Sequence, residues 1–232
     1  MDAKAAADSA IELDGLGRRY GERDVLTGVT LSVPMGSTLA VFGSNGAGKT
    51  TLLRILATLL RPHAGRVRVL GSELPKESWA LRGRVGLLAH EPMLYRELTA
   101  RENLLFHARL HGVGEERVSA LLERVGLGRR AEEAVATLSR GMTQRVAICR
   151  VALPEPELLL LDEPLANLDP GASAAIEPLI GRETGSTRVV VSHDIDQGLS
   201  EADHVLGLRD GKAAVLAPAA EVTRAQIAEL YR

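Results

Sequence analysis

The residues Gly43-Ser44-Asn45-Gly46-Ala47-Gly48-Lys49-Thr50 have the spacing G-x-x-x-x-G-K-[ST], that of a phosphate-binding loop. Gly43, Gly46 and Gly48 allow backbone angles and close approaches that a Cβ would block. Free N–H groups at the start of a following helix would point at phosphate oxygens. Lys49 would reach the β- and γ-phosphates, and the Thr50 hydroxyl would ligate Mg²⁺. Gly43, Ser44, Asn45, Gly46, Ala47, Gly48, Lys49, Thr50 and Thr51 are therefore the expected nucleotide-binding set. A second group, Asp162-Glu163-Pro164, ends the apolar run Leu158–Leu161. Acidic residues at the carboxyl end of a buried strand sit where ligands bind in open α/β sheets. Asp162 is expected to hold Mg²⁺, directly or through a water. Glu163 is the candidate general base for an attacking water.

These groups need particular elements to hold them. Thr38–Phe42 reads as a short buried strand, and Thr51–Leu60 as a helix, with Leu52, Leu53, Leu56, Leu59 and Leu60 at helical spacing. Leu158–Leu161 lacks polar alternation, so it reads as a parallel-sheet strand covered on both faces. Val189–Val191 reads the same way and ends in Ser192-His193-Asp194. Further strands are expected at Ile11–Leu13 and Val29–Val33, and helices at Arg101–Leu110, Glu115–Val125 and after Ser139. The last of these would bury Met142, Val146, Cys149 and Leu153. Ala219–Arg232 reads as a closing helix. The expected organisation is a flexible tail at 1–10 and one domain at 11–232. Segments 11–89 and 154–232 would form its core, and 90–153 an inserted helical subdomain.

At this point the chain resembles the ATP-binding subunit of ABC transporters, from about Ile11 to about Leu216. Leu138-Ser139-Arg140-Gly141-Met142, followed by Gln144-Arg145, resembles the family signature L-S-G-G-Q. Ser139 suits a helix N-cap, and Gly141 lets backbone approach a phosphate. Ala166-Asn167-Leu168-Asp169 resembles the family D-loop, His193 its switch histidine and Tyr20 its adenine-stacking aromatic. The alternative reading of Tyr20 is a strand-edge aromatic, and that of His193 a structural histidine after a strand; the family order favours the functional reading of both.

The resemblance implies an α/β fold: a P-loop NTPase core of the ABC ATPase type, with a mostly parallel sheet, N-terminal antiparallel strands and an inserted helical subdomain. It implies ATP and Mg²⁺ as cofactors. It also implies a homodimer or paired ATPase subunit, in which Ser139 and Gly141 face the nucleotide on the opposite chain. A membrane-embedded permease would be the further partner. The chain would then sit at the cytoplasmic face of the inner membrane, held there through that partner.

The departures from the family pattern are informative. His90 occupies the place of the glutamine that touches the metal or the water and links the site to the permease. An imidazole can accept or donate one hydrogen bond there, and it can take up a proton that glutamine cannot. It therefore joins Glu163 and His193 as a candidate catalytic residue. Arg140 replaces the first signature glycine, and Met142 the glutamine. The Ala89-His90 pair and Glu97-Leu98-Thr99-Ala100-Arg101-Glu102-Asn103-Leu104 resemble the haem-exporter ATPase of cytochrome c maturation. Drug, lipid and polysaccharide exporters share the latter stretch.

Composition excludes several classes. The 232 residues suit one α/β domain, and 45% hydrophobic content can fill its core. A net charge of −2 leaves no basic stripe, which predicts no nucleic-acid partner and argues against a repair or translation ATPase. Apolar runs fall far short of the ~20 residues that span a bilayer. Residues 1–10 carry acids and lack the apolar core of a signal peptide. The single Cys149 excludes an intrachain disulfide and reads as a small apolar residue.

Overall fold

The computed structural model describes residues 9–166 and 168–232. In chain order the elements are β1 (Ser9–Tyr20), β2 (Arg23–Pro34), β3 (Thr38–Phe42), α1 (Lys49–Leu56), β4 (Ala64–Val69), β5 (Ser72–Leu74) and β6 (Val85–Leu88). A helical stretch follows: α2 (Ala100–His111), α3 (Glu115–Arg124) and α4 (Arg140–Ala152). The chain then returns through β7 (Leu158–Asp162), α5 (Pro170–Ile180), β8 (Thr187–Val191), α6 (Ile195–Glu201), β9 (His204–Arg209), β10 (Lys212–Pro218) and α7 (Arg224–Ala228).

The strands form two sheets. The smaller is antiparallel, in the order β2-β1-β4-β5. The larger has the order β10-β9-β3-β8-β7-β6. Its strands β9, β3, β8, β7 and β6 run parallel, and β10 closes one edge antiparallel to β9. Helix α1 packs in the core between the sheets, with Leu52, Leu53, Ile55 and Leu56 meeting Leu13, Val29 and Leu158 there. Helices α2 to α5 cover part of the other face of the large sheet.

Strand β7 shows why its sequence lacks alternation. Leu158 and Leu160 face the core between the sheets, while Leu159 and Leu161 face the helices. Each fully buried leucine contributes roughly 1.5–3 kcal/mol. An exposed ion pair contributes about 0–1 kcal/mol. Apolar packing therefore fixes the strand that presents Asp162.

Several expected boundaries move. Ser9 and Ala10, assigned to a tail, belong to β1, and Ala10 is fully buried. The rest of that tail, residues 1–8, lies outside the described residues. The entry strands extend to twelve residues each, through bulges that keep their buried positions facing inward. Helix α1 ends at Leu56, before the expected Leu60. Thr58 adopts φ +63°, and the amides of Leu59 and Leu60 both turn back to the Arg54 carbonyl. Pro62 follows, and the residue before a proline is driven out of helical geometry. Leu59 is accordingly 55% exposed and leaves the apolar stripe. The inserted lobe becomes helical only at Ala100, after a loop from His90. The expected closing helix breaks into α7 flanked by short 3₁₀ turns, because Thr223 starts a new helix with a capping box to Gln226.

Candidate active site

Strand β3 is buried throughout and delivers the chain to Gly43. The turn runs through φ values of +148° at Gly43, +83° at Gly46 and +108° at Gly48, angles that L side chains rarely adopt. A Cβ on Gly43 would collide with the Leu208 carbonyl oxygen, and one on Gly48 would lie 2.8 Å from the Val25 carbonyl oxygen. The sequence assigned these glycines to close approach by a phosphate. At two of them the crowding comes from the protein's own backbone.

Lys49 opens α1 and is 8% exposed. Its Nζ donates to the carbonyls of Gly43 (2.6 Å) and Ser44 (3.0 Å). Burial pushes its pKa down, and the charges of Asp162 and Glu163 oppose that shift. Thr50 Oγ1 donates to Asp162 Oδ2 at 3.3 Å, which joins the loop to the acidic strand. Burial pushes the Asp162 carboxyl up; the Thr50 hydrogen bond opposes it, Glu163 adds to it, and His90 and Lys49 oppose it.

Glu163 stands at φ +53°, a left-handed conformation unusual for a residue with a side chain. Its amide donates to the Val191 carbonyl at 3.0 Å, so β8 fixes the turn. Its Oε1 lies 2.8 Å from His193 Nε2. The two candidate residues at the ends of β7 and β8 thus form a hydrogen-bonded pair. One cleft of about 380 Å³ is lined by Asn45, Gly46, Gly48, Lys49, Thr50, Thr51, His90, Asp162, Glu163 and His193, with Val25 from the hairpin strand. Most of the sequence-derived set meets there, His90 included.

Other expected residues lie apart. Tyr20 ends β1 at the hairpin turn, 45% exposed, with the Arg18 guanidinium 4.7 Å from its ring centroid. Ser139 caps α4, its Oγ accepting from the Met142 amide at 3.3 Å, and neither it nor Gly141 lines the cleft of its own chain. Gln144 ties that helix to the acidic strand, donating to the Pro164 carbonyl at 3.2 Å. Of the D-loop-like segment, Asp169 caps α5 through the Ala172 amide at 2.9 Å. Asn167 lies outside the described residues.

Three contributors escaped sequence reasoning. The Tyr231 hydroxyl accepts from the Gly43 amide at 3.4 Å. Arg23 reaches over the loop, its Nη2 within 3.8 Å of where a Gly46 Cβ would stand. Fully buried Asn103 braces the segment after His90, bonding both the amide and the carbonyl of Tyr95. Tyr231 and Arg23 are far in sequence from the loop or lack a motif. Asn103 sits beside a capping box, Thr99 with Glu102, which a T-x-x-E pattern could have revealed.

Among the described residues no group of three His, Cys, Asp or Glu side chains could hold a metal by itself. The hard oxygens of Thr50 and Asp162 suit Mg²⁺, which keeps waters and takes phosphate oxygens.

A parallel sheet, a glycine-rich phosphate loop opening a helix and a neighbouring acidic strand define a P-loop nucleotide-binding domain. The chain belongs to the ABC transporter family, whose model matches residues 26–166. It is 42% identical to a daunorubicin resistance ATP-binding protein, DrrA3, of Streptomyces coeruleorubidus, over 86% of this chain and 64% of that protein. It is 39% identical to the phosphonates import ATP-binding protein PhnC of Anaeromyxobacter dehalogenans, over 99% of this chain and 49% of that protein. The chain thus spans less than two thirds of the length of these relatives. The solved ATP-binding subunit of an ABC transporter superimposes with TM-score 0.86 at 28% identity, covering 96% of this chain and 99% of that one. The ATP-binding cassette MJ0796, solved as a dimer in a post-hydrolysis state with ADP and Pi, gives TM-score 0.79 at 28% identity, covering 90% of this chain and 98% of that one. No helix among the described residues is long and apolar enough to cross a membrane.

Proposed function

We propose that the chain is the ATP-hydrolysing subunit of an ABC transporter, driving a separate membrane permease from the cytoplasmic face of the membrane. The observation that carries this reading is the convergence of Lys49, Thr50, Asp162, Glu163 and His193 on one cleft. Lys49 leaves its two loop carbonyls to neutralise the β- and γ-phosphates. Thr50 and Asp162 hold Mg²⁺, which neutralises charge on the transferred phosphoryl group when bound. Glu163 takes the proton of the attacking water. His193, at hydrogen-bond distance from Glu163, orients that carboxylate and contacts the γ-phosphate. Tyr20 stacks on adenine. Ser139 and Gly141 close over the nucleotide of a second chain, a copy or a related subunit. His90 couples the site to the permease.

Haem export for cytochrome c maturation is the finer reading, supported by Ala89-His90 and the Glu97–Leu104 stretch. A second reading is an exporter of another class. It is favoured by the relatives named for daunorubicin resistance and, in Bacillus licheniformis, bacitracin transport. Much of Glu97–Leu104 also has a structural role, in the Thr99–Glu102 cap and the Asn103 brace, which any substrate class could share.

Nucleotide titration of the wild type and Lys49→Ala tests the proposal. Wild type binds ATP with Mg²⁺, and the variant loses tight binding because the phosphates lose their main cation. Unchanged affinity would overturn the assignment of the loop.

A further inference from the structure

Strand β8 carries a charge inside a parallel sheet. Arg188 is 2% exposed, and charged side chains are almost never fully buried unless paired. Its Nη2 lies 3.0 Å from Oε2 of Glu201, the last residue of α6. The other oxygen of Glu201 accepts from Gln197 at 3.0 Å. Arg188 Nε and Nη1 are buried without hydrogen-bond partners, so one carboxylate carries most of the compensation for a buried guanidinium. A buried ion pair is weak evidence for stability, because an apolar pair of similar volume often packs as well. Its particular contribution is a directional contact.

The direction matters because of what α6 carries. His193 immediately precedes Asp194, the N-cap of this seven-residue helix. Along its length Gly198 rests on the ring of Phe42, where a Cβ would approach Cζ to 2.6 Å. Helix α6 therefore has a steric seat at Phe42 and an ionic seat at Arg188. Between α5 and α6 a cleft of about 230 Å³ runs from Arg188 to His193 and Glu163. Ile195 and Leu199 pack on the Phe42 side, while the C-terminal end of α6 is held by Arg188 on the Glu201 carboxylate and by Arg182, whose Nη1 donates to the Glu201 carbonyl at 2.9 Å.

We propose that Arg188 is a positioning residue for hydrolysis: through its ion pair with Glu201 it sets the tilt of α6 and thereby keeps His193 at hydrogen-bond distance from Glu163. The proposal rests on the function proposed above. Steady-state ATP hydrolysis and ATP affinity of the full chain test it, in wild type, Arg188→Met, Arg188→Lys, His193→Ala and the variant combining His193→Ala with Arg188→Met. Arg188→Met should lower kcat about tenfold, equivalent to coupling of about 1.4 kcal/mol, with ATP affinity held within about twofold. Arg188→Lys should recover part of kcat, since an ammonium also reaches Glu201. In the His193→Ala background, Arg188→Met should change nothing further.

Equal losses in both backgrounds, or an unchanged kcat in Arg188→Met, would overturn the proposal. Should Arg188→Met not fold, or His193→Ala be too slow to measure, the paired variant Arg188→Met with Glu201→Met decides. It removes both charges, should melt near wild type, and should still lose kcat; wild-type kcat there refutes the proposal. A wild-type chain that binds ATP without hydrolysing it would refute the proposed function instead.

Discussion

Asp162, a candidate metal-holding residue, works against the stability of its own fold. Burial raises its carboxyl pKa despite Lys49 nearby, so the native state disfavours the ionised form. Above its native pKa the charge lowers stability, and the penalty fades as pH falls through that value. Asp162→Asn keeps an acceptor for Thr50 and removes the charge. Without nucleotide, the variant should melt higher than wild type at pH 7.5, with a gap that narrows on acidification. A lower melting temperature at pH 7.5 would contradict the account. That Lys49, Thr50 and Asp162 meet in one cleft was legible in the sequence, because motif spacing and the acidic end of a buried strand place them there. The left-handed Glu163 was not, because its turn is held by the Val191 carbonyl of a strand about thirty residues away. His193 was singled out by the family resemblance, but its pairing with Glu163 follows from β7 and β8 being neighbours.

At the scale of elements, packing decides where sequence periodicity ends. Strand β3 occupies the expected residues because its five positions are all buried and glycine follows. Helix α1 stops early because Thr58 and the approach to Pro62 outweigh two more leucines. The same logic singles out α6, which seats Gly198 on Phe42, a fully buried ring with little room to yield. Gly198→Ala should therefore destabilise the protein by about 1–3 kcal/mol, the usual range for overpacking, although alanine favours helices. Chemical denaturation measures it. A stabilised variant would mean that α6 is free to shift away from β3.

The whole molecule joins two sheets and a helical lobe, and its stability should respond to pH through that lobe. His107 on α2 has its pKa lowered to about 4, by burial first and then by the charges of Arg150 and His111. The unfolded chain binds this proton near the ordinary value of 6.5, and the native chain does not. Stability should thus fall as pH drops from about 6.5 towards 4 and level off below. His107→Leu should flatten that part of a melting-temperature profile; an unchanged slope would assign it elsewhere. Cys149, raised to about 12 by burial, adds nothing in that range.

The central claim is that this cleft hydrolyses ATP with Glu163 as the base. Steady-state hydrolysis and ATP affinity, compared in wild type and Glu163→Gln, test it most directly. ATP affinity should stay unchanged while turnover falls by about 10²–10⁴-fold, the usual weight of a positioned acid–base group. A reduction of less than about tenfold would contradict it.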